Sequence, residues 1–333
     1  MAVTIKKISI IGDGGWGTTL ALYLDRRGYD VLLWGAFPQY VEQGKKRGEN
    51  FKFLPGFKIP RSLVWTSDLE GAIAHGQLVV LATPSQYLSG VLKQIKKIDR
   101  KGKVFLSVVK GIEIGSSKRM SELIVEELGR VPLAVLSGPT IASELAAGIV
   151  TTAVIASRDQ KLAARLQGIF NSEIFRIYTN KDVIGVELGG SVKNVIALAC
   201  GICDGLGLGT NAKAAVLSRG LAEMTRLGQA LGAKKETFAG LTGLGDLVTT
   251  CVNAGSRNRS VGEAIGQGKS VEQVLSAMVT VAEGVATAKA VYQLSKKYKV
   301  SMPITAEVYN IIYKGKSVKT ALASLMSRAL KPE

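Results

Sequence analysis

One histidine, three cysteines and eight prolines in 333 residues leave several chemistries without the side chains they need. An odd cysteine count argues against a disulfide framework. Cys200 and Cys203 stand at CxxC spacing, but there is no second pair and His75 is the sole imidazole. A four-ligand zinc site is therefore implausible and no metal is expected. The two cysteines read better as small helix-packing residues than as a redox pair. His75, followed by Gly76, reads as the last residue of a helix rather than as a catalytic group. Aromatic residues are only 6% of the chain, and no aromatic–basic clusters of the kind that stack bases occur. Long apolar runs are missing too. The longest, residues 195–203, falls well short of the ~20 residues of a membrane span. The brief run 8–11 behind Lys6 and Lys7 is too short for a signal-peptide core. A soluble, cytoplasmic chain is expected.

Acidic residues are scarce: 26 against 43 Lys and Arg, a net charge of +17. The basic residues are scattered, and the densest run, 93–103, reads as an exposed helix end and loop. That pattern disfavours nucleic acid and favours attraction of small anionic ligands. With 47% hydrophobic and 21% charged residues the chain is globular, and its length allows two domains, each with its own core.

What is present begins with a β-branched run, 6–11, that leads directly into Gly12, Asp13, Gly14, Gly15, Trp16 and Gly17. Gly12, Gly14 and Gly17 satisfy GxGxxG, a helix is predicted over 18–27, and a second apolar run, 31–34, completes a strand–helix–strand unit. That is the context a dinucleotide fingerprint requires. Gly12 permits the tight turn, Gly14 lets backbone approach a pyrophosphate, and Gly17 allows close helix–strand packing. The helix start then offers amides and a positive dipole end. The bland alternative is a glycine-rich turn with no ligand. One part of the fingerprint is missing: after the second strand come Gly35, Ala36 and Phe37, neither an acid for the ribose nor an arginine for a 2′-phosphate. NAD and NADP cannot be told apart from this stretch.

Further strand-like runs at 78–82, 104–109, 133–136 and 151–156 alternate with helical patterns and predict a doubly wound, mostly parallel sheet. Three loops follow strand ends, at 83–87, 110–113 and 137–140, and Lys110 in the second reads as functional. From residue 182 the pattern turns helical. Lys193 and Asn194 are its only strongly polar side chains between Glu187 and Asp204. On a helix, Lys193 shares a face with Gly189, Gly190, Ala197 and Cys200, small residues that leave room for something to lie against it. It is either a lysine snorkelling to water or one in a partly desolvated cleft that exchanges a proton near neutral pH. Two glycine-rich interruptions follow, 241–247 and 254–259. In the second, Ser256 reads as an N-cap, and Arg257 with free helix amides suits a phosphate; an ordinary capped helix with solvated arginines is the alternative.

The ordered set Gly12 to Thr18, Phe53 to Gly56, Val109 to Glu113, Ser137 to Thr140, Val186 to Asn194, Gly243 to Leu247, Ser256 to Asn258 and Glu283 with Gly284 resembles the bacterial NAD(P)-dependent glycerol-3-phosphate dehydrogenases over nearly the whole chain. The resemblance implies an α/β, Rossmann-like doubly wound N-terminal domain (1–180) followed by an all-helical substrate-binding domain (181–333). It implies hydride transfer between sn-glycerol 3-phosphate and dihydroxyacetone phosphate with NAD or NADP, for phospholipid synthesis, in a homodimer. By position, Lys193 takes the C2 hydroxyl proton, with Lys110 and Asp246 around the reacting centre. Gly138, Thr140, Ser256, Arg257 and Asn258 contact the substrate, as do Lys110, Lys193 and Asp246. Gly12, Gly14, Gly15, Trp16, Gly17, Ala36, Tyr87, Lys110, Ala142, Arg257, Val281 and Glu283 contact the cofactor. A lysine brought toward neutrality by burial and a neighbouring ammonium, with 110 and 193 as the pair, suits the base. Three departures stand out: no basic residue at or beside position 36, Thr140 for a frequent serine, and Asp13 for a small residue in a loop expected to hold phosphates, where it would cost cofactor affinity. Another dehydrogenase of the same architecture, or a non-catalytic dinucleotide sensor, are the rival readings.

Overall fold

The computed structural model describes residues 5–278, 282–330 and 332. The chain divides into two compact units, Met1–Lys110 with Arg119–Val186, and Gly111–Lys118 with Glu187–Glu333.

The first unit is built on one sheet of eight strands: β1 (Lys7–Ile11), β2 (Asp30–Trp34), β3 (Val64–Thr66), β4 (Leu78–Leu81), β5 (Val104–Ser107), β6 (Leu133–Ser137), β7 (Thr151–Ala156) and β8 (Phe175–Asn180). Their order is β3-β2-β1-β4-β5-β6-β7-β8, and every neighbouring pair is parallel except β6 with β7. The strands are apolar on both faces because helices cover both. Period-two alternation sorts them into two cores: Ile8, Ile10, Val31, Leu33, Leu78, Val80 and Leu106 face one way, and Ile11, Leu32, Trp34, Val79, Leu81 and Phe105 the other. Two strands are invisible as apolar runs. β3 is three residues long, and edge strand β8 alternates buried Phe175 and Ile177 with exposed Arg176 and Tyr178.

The chain leaves β1 toward β2 on one side, and β4 flanks β1 on the other, so a topological switch point lies between the carboxyl ends of β1 and β4. The helix after β1 spans Gly15–Arg26, three residues earlier than expected, so Gly14 stands just before its first residue and Gly17 lies inside its first turn. His75 ends the helix Leu69–His75, and Gly76 beyond it is extended rather than left-handed.

Among the described residues the second unit is helical. Its long helix, Val183–Gly205, starts at the end of the first unit, where the Asp182 carboxylate accepts from the Gly185 amide at 2.9 Å. At 23 residues it is long and apolar enough to cross a membrane, but 89% of its apolar window is buried inside the protein. It is a core helix. Glycines bring other backbone against it: a Cβ on Gly201 would lie 2.0 Å from the Arg259 carbonyl oxygen, and one on Gly262 2.1 Å from that of Leu198. These contacts seat the helix Arg257–Gly266 on it.

Candidate functional site

In the first unit the site is the fork between β1 and β4. Gly12 has φ +125°, and a Cβ on it would stand 2.6 Å from the Ala82 carbonyl carbon and 2.7 Å from the Thr83 nitrogen. A Cβ on Gly17 would stand 1.9 Å from the Gly12 oxygen, so the third glycine seats the helix on the loop. Gly14 faces open space, with no atom within 4 Å of where its Cβ would be. The helix behind it has no side-chain cap and no acid in its first turn. Its leading amides and dipole are thus available to an anion. On the segments that follow β1 and β4, two buried polar atoms, Trp16 Nε1 and Thr83 Oγ1, have no hydrogen-bond partner among the described residues. Buried polar groups are rarely left so unless a ligand or water completes them. Open backbone, uncapped amides and orphaned donors together fit a dinucleotide.

The loop is held from behind. Buried Asn50 donates to the Asp13 carbonyl oxygen at 2.7 Å and to Thr18 Oγ1 at 2.6 Å, and accepts from the Tyr40 hydroxyl at 2.5 Å. A Cβ on Gly15 would stand 2.7 Å from the Phe53 oxygen, which is why the stretch 53–56 accompanies the glycine loop. Asn50 carries no sequence signal of its own; only the fold brings it to the loop.

Asp13 does not turn its side chain along the helix start, as the phosphate expectation required. Its carboxylate lies over Gly35, where it accepts from Trp65 Nε1 at 3.3 Å, and the residue is 8% exposed. Burial pushes its carboxyl up to about 6, against the opposing hydrogen bonds from its own amide and from Trp65.

Of the other expected cofactor residues, Ala142 lies beside the glycine loop, its carbonyl accepting from Thr19 Oγ1 at 3.0 Å. Ala36 is exposed next to Phe37, and Tyr87 is exposed in the turn Ser85–Tyr87 after β4. Lys110, half-buried past the end of β5, donates to the Gly138 oxygen at 2.7 Å and to Thr140 Oγ1 at 3.0 Å. It ties together the loops that follow β5 and β6.

In the second unit the site centres on Lys193. The residue is 5% exposed, so the snorkelling alternative falls. Its ammonium is ion-paired to Asp246, itself 1% exposed, and donates to Thr250 Oγ1 at 2.7 Å. Thr250 in turn donates to the Asp246 carbonyl oxygen at 2.7 Å. The neighbour found for the lysine in this unit is thus an anion, which favours its charged form. Part of the face of small residues is taken by backbone, not left as room for a ligand. A Cβ on Gly189 would stand 2.3 Å from the Thr242 oxygen, so the π-helical turn Leu241–Gly245 packs there and delivers Asp246 to the lysine. Ser191, two residues before the lysine, donates to the Gly111 oxygen at 3.1 Å and so anchors the segment 111–118 on the long helix.

Ser256 caps the helix Arg257–Gly266 through the Arg259 amide, as its spacing suggested. The two arginines then differ. Arg259 is committed to Asp204, at 2.6 Å, alongside Lys213. Arg257 is exposed but crowded: desolvation lowers its pKa, opposed by the Glu283 carboxylate. A guanidinium stays charged under either influence. Asn258 is buried, donating to Asn194 Oδ1 at 3.0 Å and accepting from the Gly284 amide at 2.9 Å. A Cβ on Gly284 would stand 2.6 Å from the Asn194 oxygen, so Asn194, Asn258 and Gly284 form one packed joint. Val281 lies outside the described residues.

Comparison with known proteins accounts for both units. Residues 7–163 match the family described as NAD-dependent glycerol-3-phosphate dehydrogenase N-terminus, and residues 182–323 its C-terminus counterpart. A glycerol-3-phosphate dehydrogenase [NAD(P)+] of Bacillus cytotoxicus is 46% identical over 332 residues, covering 99% of this chain and 97% of the relative. One of Chlorobium limicola is 47% identical over 329 residues, covering 98% and 99%. The crystal structure of glycerol-3-phosphate dehydrogenase from Coxiella burnetii superposes with a TM-score of 0.94 at 38% identity, covering 96% of this chain and 98% of that one.

Proposed function

The chain belongs to the NAD-dependent glycerol-3-phosphate dehydrogenase family, and we infer from this premise that it interconverts sn-glycerol 3-phosphate and dihydroxyacetone phosphate by hydride transfer. The observation that carries the reading is the buried Lys193–Asp246 pair. A sensor that only bound the dinucleotide would have no use for an ammonium sealed against a carboxylate, an arrangement that costs desolvation energy.

When bound, the nicotinamide accepts or supplies the hydride at C2. The residues do the rest. In reduction the Lys193 ammonium gives a proton to the carbonyl oxygen, and in oxidation Lys193, as the neutral amine, takes the proton of the C2 hydroxyl. Asp246 and Thr250 fix the Lys193 nitrogen, and the ammonium favours the alkoxide character that develops on oxygen. Arg257 and the amides that open its helix, behind the Ser256 cap, receive the phosphate; Asn258 keeps that helix seated through its bonds to Asn194 and Gly284. Lys110, oriented by Gly138 and Thr140, is a second cation toward the anionic ligands. Gly12, Gly14, Gly15, Trp16, Gly17, Ala36, Tyr87, Ala142, Val281 and Glu283 serve the cofactor. The product supplies glycerol 3-phosphate for phospholipid synthesis. A cytoplasmic homodimer acting on this small phosphorylated substrate completes the proposal.

The test is absorbance at 340 nm with dihydroxyacetone phosphate, with NADH and NADPH separately, on wild type and Lys193→Ala. Oxidation by the wild type that nearly vanishes in the variant supports substrate and base together. No turnover despite cofactor binding would overturn the substrate, and full activity in the variant would remove Lys193 from the chemistry.

A further inference from the structure

We propose that Asp13 sets the choice between the two nicotinamide dinucleotides: from the glycine loop it supplies the ribose-gripping carboxylate that the end of β2 lacks, and so favours NAD(H) over the 2′-phosphorylated form. The proposal rests on the dinucleotide reading of the glycine loop.

In sheets of this topology the acid that holds the adenine ribose stands at the end of the second strand. Here β2 ends at Trp34, and the next residue is Gly35, which has no side chain. The space over Gly35 is not empty. A Cβ there would stand 2.0 Å from Asp13 Oδ2 and 2.6 Å from Asp13 Cγ. The Asp13 carboxylate therefore occupies the position from which a side chain at 35 would start. It is held by Trp65 Nε1 from β3 at 3.3 Å, while the Asp13 carbonyl is held by Asn50 at 2.7 Å. Glycine at 35 and aspartate at 13 are thus one exchange: the carboxylate arrives from β1 instead of β2, over a glycine whose Cβ would meet it and also Val41 Cγ2 at 2.9 Å.

The surroundings agree on charge. After Trp34 the first basic residue is Lys45, which is paired with Glu42 at 2.8 Å, and the Arg47 guanidinium lies over the Phe51 ring at 4.0 Å. Residues 34–37 at the strand end include no cation to receive a 2′-phosphate, and a carboxylate there repels one while accepting from ribose hydroxyls. Beside it Phe37 is 69% exposed, a flat apolar surface suited to an adenine. A purely structural residue would not need the charge. Asparagine would keep the Trp65 hydrogen bond, and burial already pushes this carboxyl up to about 6. A desolvated acid at a ligand site is the pattern expected of a functional group.

The experiment is equilibrium binding of NADH and NADPH, followed at pH 8 by energy transfer from tryptophan to the reduced nicotinamide. It compares the full chain with Asp13→Asn, Asp13→Ala and the exchange variant Asp13→Ala/Gly35→Asp. Wild type is expected to bind NADH more tightly than NADPH. Asp13→Asn, which keeps the shape, is expected to shrink that ratio by about tenfold or more, through weaker NADH and stronger NADPH binding. Returning the carboxylate to the strand end in the exchange variant is expected to restore it. An unchanged ratio in Asp13→Asn and Asp13→Ala, or a wild type that prefers NADPH, overturns the proposal. Wild type that binds neither dinucleotide instead removes the reading on which it rests.

Discussion

The Asp13 carboxyl also makes a prediction about stability. Its pKa rises from 3.8 to about 6 on folding, chiefly through burial. The folded chain therefore holds this proton to higher pH than the unfolded chain does. Well below pH 3.8 the group is protonated in both states and costs nothing. Between pH 4 and 6 the unfolded state loses its proton first, and stability falls as pH rises. Above the folded pKa the full cost is present: about two pKa units at 1.36 kcal/mol each, or roughly 3 kcal/mol. Asp13→Asn removes the titration while keeping an acceptor for Trp65, so its stability gain should grow from well under 1 kcal/mol at pH 4 to about 3 kcal/mol at pH 7.5. The assay is urea denaturation followed by tryptophan fluorescence. All three tryptophans, Trp16, Trp34 and Trp65, belong to the first unit and report it alone. With a slope near 2–3 kcal/mol per molar, the midpoint at pH 7.5 should rise by about 1 M urea. A gain that is the same at pH 4 and pH 7.5 would refute the reasoning, because the effect would then come from packing. Substitution should thus stabilise the unit while blurring its cofactor choice, a trade expected where a strained group serves function.

Three other perturbations act in the second unit. Asp246→Asn leaves the Lys193 ammonium buried without its counter-ion, and should lower stability by about 3 kcal/mol in thermal denaturation and kcat by about 10²–10⁴-fold. Gly189→Ala puts a methyl 2.3 Å from the Thr242 oxygen; it should cost about 1–3 kcal/mol and reduce kcat by displacing the turn that carries Asp246, while NADH affinity measured by fluorescence is unchanged. Arg257→Ala should raise KM for glycerol 3-phosphate by about 10–100-fold, and Arg257→Lys should recover only part of it, because a lysine lacks the fork that matches a phosphate.

Much of this was legible in the chain because its signals are local. A β-branched run, three glycines at fixed spacing and an uncapped helix start form one continuous stretch, and the Ser256 cap needs only its next three residues. Strands buried on both faces show as apolar runs; β3 is too short to show, and β8 alternates as an edge strand does. The rest depends on contacts that no local pattern encodes. Lys193 and Asp246 lie 53 residues apart, and each was visible in its own motif while their pairing was not. The small face of the long helix was visible, but smallness admits ligand and backbone equally, and the turn 241–245 occupies part of it. Asp13 stands out in the sequence as a departure, but its direction depends on a glycine at 35 and an indole at 65.

Burial alone does not separate the groups that do chemistry from those that hold the fold; their partners do. Glu223 is 1% exposed, and burial raises its pKa against the hydrogen bonds it accepts. Those bonds come from the Ile304 amide at 2.7 Å, the Thr305 amide at 3.1 Å and Thr305 Oγ1 at 3.0 Å. They are the leading donors of the helix Pro303–Lys314, which needs an acceptor whether or not a substrate exists. Glu223→Gln keeps one acceptor oxygen and leaves a buried amide poorly satisfied, so it should lower stability by about 1–3 kcal/mol while kcat and KM stay at wild-type values. Asp13 and Asp246 have partners of another kind: Asp246 faces another side chain's charge, and Asp13, bonded to its own amide and to Trp65, lies over a glycine. Were Glu223→Gln to change KM with no loss of stability, partner type would not be the criterion, and the assignments to Asp13 and Asp246 would lose their common support.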